Sequence, residues 1–145
     1  CHAHPLYLTA LACAGLELDA PTTPAAACIV GRVPVSPYRC SGAQALADSV
    51  VPYVRDYHLV NLGNHGPVSW GKAPNEAWYR LEAAESAAQL ALLLKNLGGL
   101  RPLTRAQVEE LVGFHGVEMT ERGMVSAAES SENQRPGRPL SEYPG

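Results

Sequence analysis

The residues most able to do chemistry are two histidines one residue apart, His2 and His4 in Cys1-His2-Ala3-His4-Pro5, and a third far down the chain, His65 in Asn64-His65-Gly66-Pro67. Neutral imidazole is the commonest side-chain ligand for zinc and similar divalent ions. Three protein ligands leave a coordination position open, the arrangement that catalytic zinc uses and structural zinc avoids. On extended chain, residues i and i+2 point to the same face, so His2 and His4 can grip one ion while His65 arrives from elsewhere in the fold. H-x-H alone is a common pattern. The spacing admits a metal site without naming a reaction.

The other reactive side chains are less organised. Cys1, Cys13, Cys28 and Cys40 form no C-x-x-C pair, so a zinc-finger or thioredoxin-like reading lacks its spacing. Cys13 and Cys28 lie in alanine-rich apolar context and are expected to be small buried hydrophobes. Unpaired cysteines point to a reducing, cytoplasmic setting. His58 and His115 have no companions and read as surface or helix-end residues. Trp70 and Tyr79 fit either a pocket wall or an interface.

The chain has 145 residues, 46% hydrophobic and 17% charged, which fits one soluble globular domain. Eleven Lys and Arg are scattered, and the net charge is −3 with a pI near 5.9, which argues against a nucleic-acid surface. No apolar run is long enough to span a bilayer, and no secretory signal is visible. The chain opens on Cys1 rather than a methionine, directly inside the histidine motif, so an upstream part is expected.

Alternating strands and helices must position these residues. A short helix follows Pro5 and stops at Gly15; a second, alanine-rich turn covers Thr22 to Cys28. Val30 to Tyr38 alternates, with Val33 and Val35 on one face, and its prolines suit an edge strand. Ser41 is a candidate cap for a helix from Gly42 to Asp56, bent or ended by Pro52. His58 to Leu62 and Pro67 to Trp70 read as two strands around Gly63-Asn64-His65-Gly66. Pro74 and Gly98-Gly99 bracket the strongest helix, whose stripe is Trp78, Leu81, Ala84, Ala88 and Ala91. Glu82 and Glu85 are expected to serve structure. Thr104 caps a helix over Arg105 to Val112, stopped at Gly113. The pattern decays after Gly116, so residues 1–116 read as one domain and 117–145 as a flexible tail, with almost nothing to bury from Ser126 onward.

HAHP at His2 to Pro5, APTTPAAACIVGRVPVSPY ending at Tyr38, NLGNHGPVSWG at Asn61 to Gly71, and the helix NEAWYRLEAAESAAQLALLLKNLGG that follows resemble the class II aldolase/adducin superfamily, and within it the fuculose-phosphate aldolases. HAH with NHG at this separation is far more specific than either alone. The resemblance covers about residues 1–112.

That resemblance implies a three-layer α/β/α sandwich around a mostly antiparallel sheet, here lacking its N-terminal part. It implies Zn2+, or another divalent cation, on His2, His4 and His65, a sugar phosphate as substrate, and a homotetramer. A bound cation would stabilise the enediolate left by retro-aldol cleavage. The family's catalytic glutamate and phosphate loops lie ahead of the first histidine, upstream of Cys1, so no catalytic acid–base residue is assigned within the chain. A tyrosine that the family contributes from a neighbouring subunit falls near Thr23, which is no acid, and Tyr38 matches a tyrosine with a structural role. The chain alone is therefore expected to turn over little or nothing. Three functions stay open: an aldolase cleaving a ketose 1-phosphate; an epimerase, decarboxylase or dehydratase using the same metal site; and a non-catalytic adducin-like interaction module.

Overall fold

A computed structural model describes residues 1–120 and 122–124 of the chain. Helix α1 (Leu6–Ala14) ends on Gly15, whose left-handed φ of 65° suits glycine. Residues 26–30 form a wide π-helical turn, entered through Thr23, whose hydroxyl accepts from the Ala26 N–H at 3.2 Å. Strand β1 is only Val35–Ser36. Helix α2 (Gln44–Asp48) and a 3-10 turn (Val51–Tyr53) precede strands β2 (Leu59–Leu62) and β3 (Gly66–Ser69). Helices α3 (Pro74–Asn96) and α4 (Arg105–His115) complete the described elements.

The sheet has the order β1-β2-β3, with β1 parallel to β2 and β2 antiparallel to β3. Isolated antiparallel bridges add His2 beside Val68 and Leu18 beside Val33. All four β2 residues are buried. Helix α1 packs on α3 and against β2 and β3, and α4 joins the rest through the 26–30 turn. The main core gathers Leu8 and Leu11 from α1, Val30, Val33, Leu59, and the alanines of α3. Ala84, Ala88 and Ala91 share this core with Leu8 and Leu11 of α1. A second cluster joins Ala27 to Val108 of α4.

Several expectations need correction. The helix expected over Gly42 to Asp56 breaks into α2 and the 3-10 turn, and Ser41 does not cap it. Ala43 stands at the cap position, with no side-chain bond. Pro52 lacks an N–H, the Ser49 hydroxyl turns back onto the Leu46 carbonyl at 2.7 Å, and α2 buries nothing that could hold a longer helix. The expected strand Val30 to Tyr38 contracts because Val30 belongs to the helical turn. Trp78 lies off the buried stripe of α3, half exposed at 50%, and Ala77 takes its place. Cys13 is exposed because α1 buries Leu8, Leu11 and Ala12 and turns the next position outward, and Cys28 is only partly buried because the 26–30 turn buries Ala26, Ala27 and Val30.

Thr104 caps α4 through a reciprocal capping box with Gln107, and the helix runs on past Gly113 to Gly116. The stretch after Gly116 folds back rather than leaving the surface. The Arg32 N–H donates to the Gly123 carbonyl at 2.9 Å, and the Thr120 hydroxyl to the Asp56 carbonyl at 2.9 Å. Residues 125–145, most of the expected tail, lie outside the described residues. Among the described residues no helix is long and apolar enough to cross a membrane.

Candidate metal centre

The N-terminal segment lies against β3 as extended chain. Its terminal amine donates to the Ser69 carbonyl at 2.7 Å, and the Ser69 N–H donates back to the Cys1 carbonyl at 2.9 Å. This pairing puts His2 and His4 on one face, as the one-residue gap requires. Pro5 then ends the extended run and leads into α1.

His65 sits in the β2–β3 turn. Asn64 takes the left-handed conformation there, with φ 56°, a region that asparagine tolerates better than other side-chain-bearing residues. Gly66 is required by proximity: a Cβ on it would meet the Ala3 carbonyl oxygen at 2.8 Å and the His4 ring at 3.2 Å. The Asn-His-Gly run is thus a turn former, a donor, and the gap into which the His4 backbone fits.

The three rings converge. His2 lies 4.7 Å from His4 and 4.8 Å from His65 by ring centroids, and His4 and His65 stack at 5.0 Å. One ring nitrogen from each lies within 4.8 Å of the others. Around a tetrahedral zinc two nitrogens lie ~3.4 Å apart, so the rings would draw together to share one ion. His2 Nδ1 lies 2.8 Å from the Pro67 carbonyl. A carbonyl can only accept, so Nδ1 carries the proton and points Nε2 toward the other rings, as a backbone carbonyl behind a metal-bound histidine commonly does. Partial desolvation, then the nearby His2 and His4 rings, hold His65 below its ordinary pKa and favour the neutral donor. Three imidazole nitrogens with no carboxylate suit zinc or a similar borderline ion better than calcium or magnesium.

The remaining candidates do not join this cluster. Thr23 is engaged as the cap of the 26–30 turn, and Tyr38 is exposed. His58 Nδ1 donates to the Ile29 carbonyl at 3.0 Å, at the end of the hairpin away from His65. His115 ends α4 against Phe114. Tyr79 is exposed, and the Trp70 carbonyl accepts from Arg80 at 2.6 Å. The Pro67 carbonyl, Asn64 and Gly66 were not singled out by the sequence; Asn64 and Gly66 flank His65 in a turn pattern that could have flagged them.

Residues 1–92 match the family model described as Class II Aldolase and Adducin N-terminal domain. A 3-oxo-tetronate 4-phosphate decarboxylase of Pectobacterium atrosepticum is 39% identical over 114 residues, covering 76% of this chain and 52% of its own. An L-fuculose phosphate aldolase of Methanococcus maripaludis is 34% identical over 97 residues, covering 67% and 52%. Among solved structures, an L-fuculose 1-phosphate aldolase superposes with a TM-score of 0.72 at 28% identity over 79% of this chain and 54% of its own. The YgbL protein of Klebsiella pneumoniae, whose description spans aldolase, epimerase and decarboxylase, gives 0.67 at 37% identity over 76% and 55%. The chain spans about half the length of the curated relatives it matches.

Proposed function

The chain belongs to the class II aldolase and adducin family, with that family's α/β fold, and from this we propose that it carries the metal-binding part of a carbon–carbon lyase acting on a phosphorylated sugar or sugar acid. The observation behind this reading is the convergence of His2, His4 and His65, with ligating nitrogens within 4.8 Å. Zn2+ is the ion of choice for three imidazoles, with other divalent cations as substitutes. When bound, it supplies Lewis-acid stabilisation of negative charge developing on substrate oxygens.

The chain's own residues do the holding. His2 is fixed through Nδ1 by the Pro67 carbonyl, His4 by the extended segment against Gly66, and His65 by the hairpin turn. The cluster itself holds only imidazoles, and the resemblance to the class II aldolases implies that acid–base work falls to a glutamate ahead of the first motif histidine. The intact enzyme is taken to be a cytoplasmic homotetramer without nucleic-acid or membrane partners.

Two outcomes share this chemistry. Retro-aldol cleavage releases an aldehyde, and decarboxylation releases carbon dioxide; each leaves an electron pair that the ion would stabilise. Relatives named for both reactions match the chain, and the decarboxylase of P. atrosepticum has the higher identity of the two curated relatives described above. The adducin-like scaffold reading is disfavoured by the retained histidines.

The test begins with metal content. The chain should bind one Zn2+, and His65→Ala should weaken binding by about a hundredfold or more, since a ligand is lost. Equal binding by both would remove the metal reading. The intact parent should then be assayed with L-fuculose 1-phosphate and with 3-oxo-tetronate 4-phosphate: lactaldehyde released from the first supports the aldolase and carbon dioxide released from the second the decarboxylase, since both reactions leave dihydroxyacetone phosphate. Turnover of neither by the zinc-loaded protein would reject both substrate assignments.

A further inference from the structure

We propose that Glu85 is a positioning residue for the imidazole cluster, acting as a remote cap on α1; this rests on the reading of His2, His4 and His65 as metal ligands. Helix α1 follows His4 by a single residue, Pro5, which stands at the cap position and offers no side-chain acceptor. The first N–H groups of a helix have no partner within it. Here one carboxylate from α3 takes two of them. Tyr7 N–H donates to Glu85 Oε1 at 2.8 Å and Leu8 N–H to Glu85 Oε2 at 2.8 Å. A negative charge at this end also complements the helix dipole.

The far side of α1 is tied to the hairpin that carries His65. Asn61 on β2, itself 1% exposed, donates through Nδ2 to the Leu8 carbonyl at 2.6 Å. Asn64, next to His65, donates its N–H to the Ala12 carbonyl at 3.3 Å. Helix α1 is therefore a strut between the two sources of ligands. Glu85 grips its first turn, the turn that leaves the HAHP segment. Without that grip the first turn frays and His4 loses its fixed distance from His65, while Leu8 and Leu11 keep the helix in the core.

The test uses the full chain and compares wild type, Glu85→Ala, Glu85→Gln and Val108→Ala. Zinc affinity is read by competition with a chromophoric chelator, and ligand geometry by the visible spectrum of the Co2+ form. Glu85→Ala should weaken zinc binding about tenfold to a hundredfold, as loss of outer-shell partners does, and should alter the Co2+ bands. Glu85→Gln keeps one acceptor oxygen and should lose severalfold. Val108→Ala, a core deletion in the second cluster, should lower the melting temperature yet leave zinc affinity and the Co2+ spectrum unchanged. That contrast separates positioning from plain stability. Wild-type zinc affinity in Glu85→Ala, or in Glu85→Gln should the alanine variant not fold, overturns the proposal. So does a Val108→Ala loss as large as the Glu85→Ala loss. If His65→Ala binds zinc as wild type does, the ligand assignment itself falls and takes the proposal with it.

Discussion

Desolvation leads the causes that hold two histidines in this fold below their ordinary pKa, and a different neighbouring charge adds to it at each. At His65 partial desolvation and two neighbouring imidazoles disfavour the charge. At His58 burial is the larger cause and the Arg80 guanidinium adds to it, outweighing the hydrogen bond to Ile29. A histidine with a lowered folded pKa is protonated more readily in the unfolded chain, so its contribution is present above about pH 6.5 and is lost as pH falls below that value. His58→Gln should therefore flatten the fall in stability below about pH 6.5 while leaving stability at pH 8 nearly unchanged. Urea midpoints at several pH values measure this; parallel curves for wild type and variant would refute it. The pairing of His2 with His4 was legible because an i, i+2 gap is a local fact, whereas His65, far along the chain, joined them only through the family resemblance. The Pro67 carbonyl that orients His2 was not legible, because it becomes a neighbour only when the terminal segment pairs with β3.

Elements were legible where local chemistry and tertiary packing agree. Pro74 at the first turn of α3, Gly15 ending α1 and Thr104 before α4 each mark a boundary that the structure keeps. The segment from Gly42 to Asp56 misled because helical spacing of apolar residues has no effect without a surface to bury them, and α2 buries none. Trp78 misled because the buried side of α3 begins at Ala77, whose carbonyl accepts from the Ser69 hydroxyl of β3, and leaves the next position half exposed. The cap on α4 gives a direct test. Thr104 Oγ1 accepts from the Gln107 N–H at 3.3 Å, while Gln107 Oε1 accepts from the Thr104 N–H at 2.9 Å. Thr104→Ala should cost about 0.5–2 kcal/mol, and Thr104→Ser much less. Because Val108 of α4 is buried against Ala27, the loss should appear in the global urea transition as well as in faster amide exchange over 105–108. No change in either would show that packing alone fixes α4.

At the scale of the whole molecule, what the sequence concealed is that chain beyond the last helix closes over earlier turns. The periodic pattern decays after Gly116, yet residues 117–120 and 122–124 bond to Arg32 and Asp56, and Met124 packs on the Ala27–Val108 cluster. Backbone acceptors leave no mark in composition, so this return could not be read locally. Gly31 records it: with φ 69°, its absent Cβ would lie 2.6 Å from the Gly123 carbonyl oxygen. Two versions of the chain separate the contributions, one ending at Met124 and one at Gly116. The shorter should be less stable by about 1–3 kcal/mol, the net of two hydrogen bonds and some apolar contact. Gly31→Ala should destabilise both through its backbone conformation, at roughly 1–3 kcal/mol. It should cost more in the longer chain, where the new methyl also evicts Gly123, so the two changes are not additive. Urea denaturation of the four proteins measures the coupling. Strict additivity would mean that the returning segment lies on the fold without stabilising it, and the domain would then end at Gly116 in energy as well as in pattern.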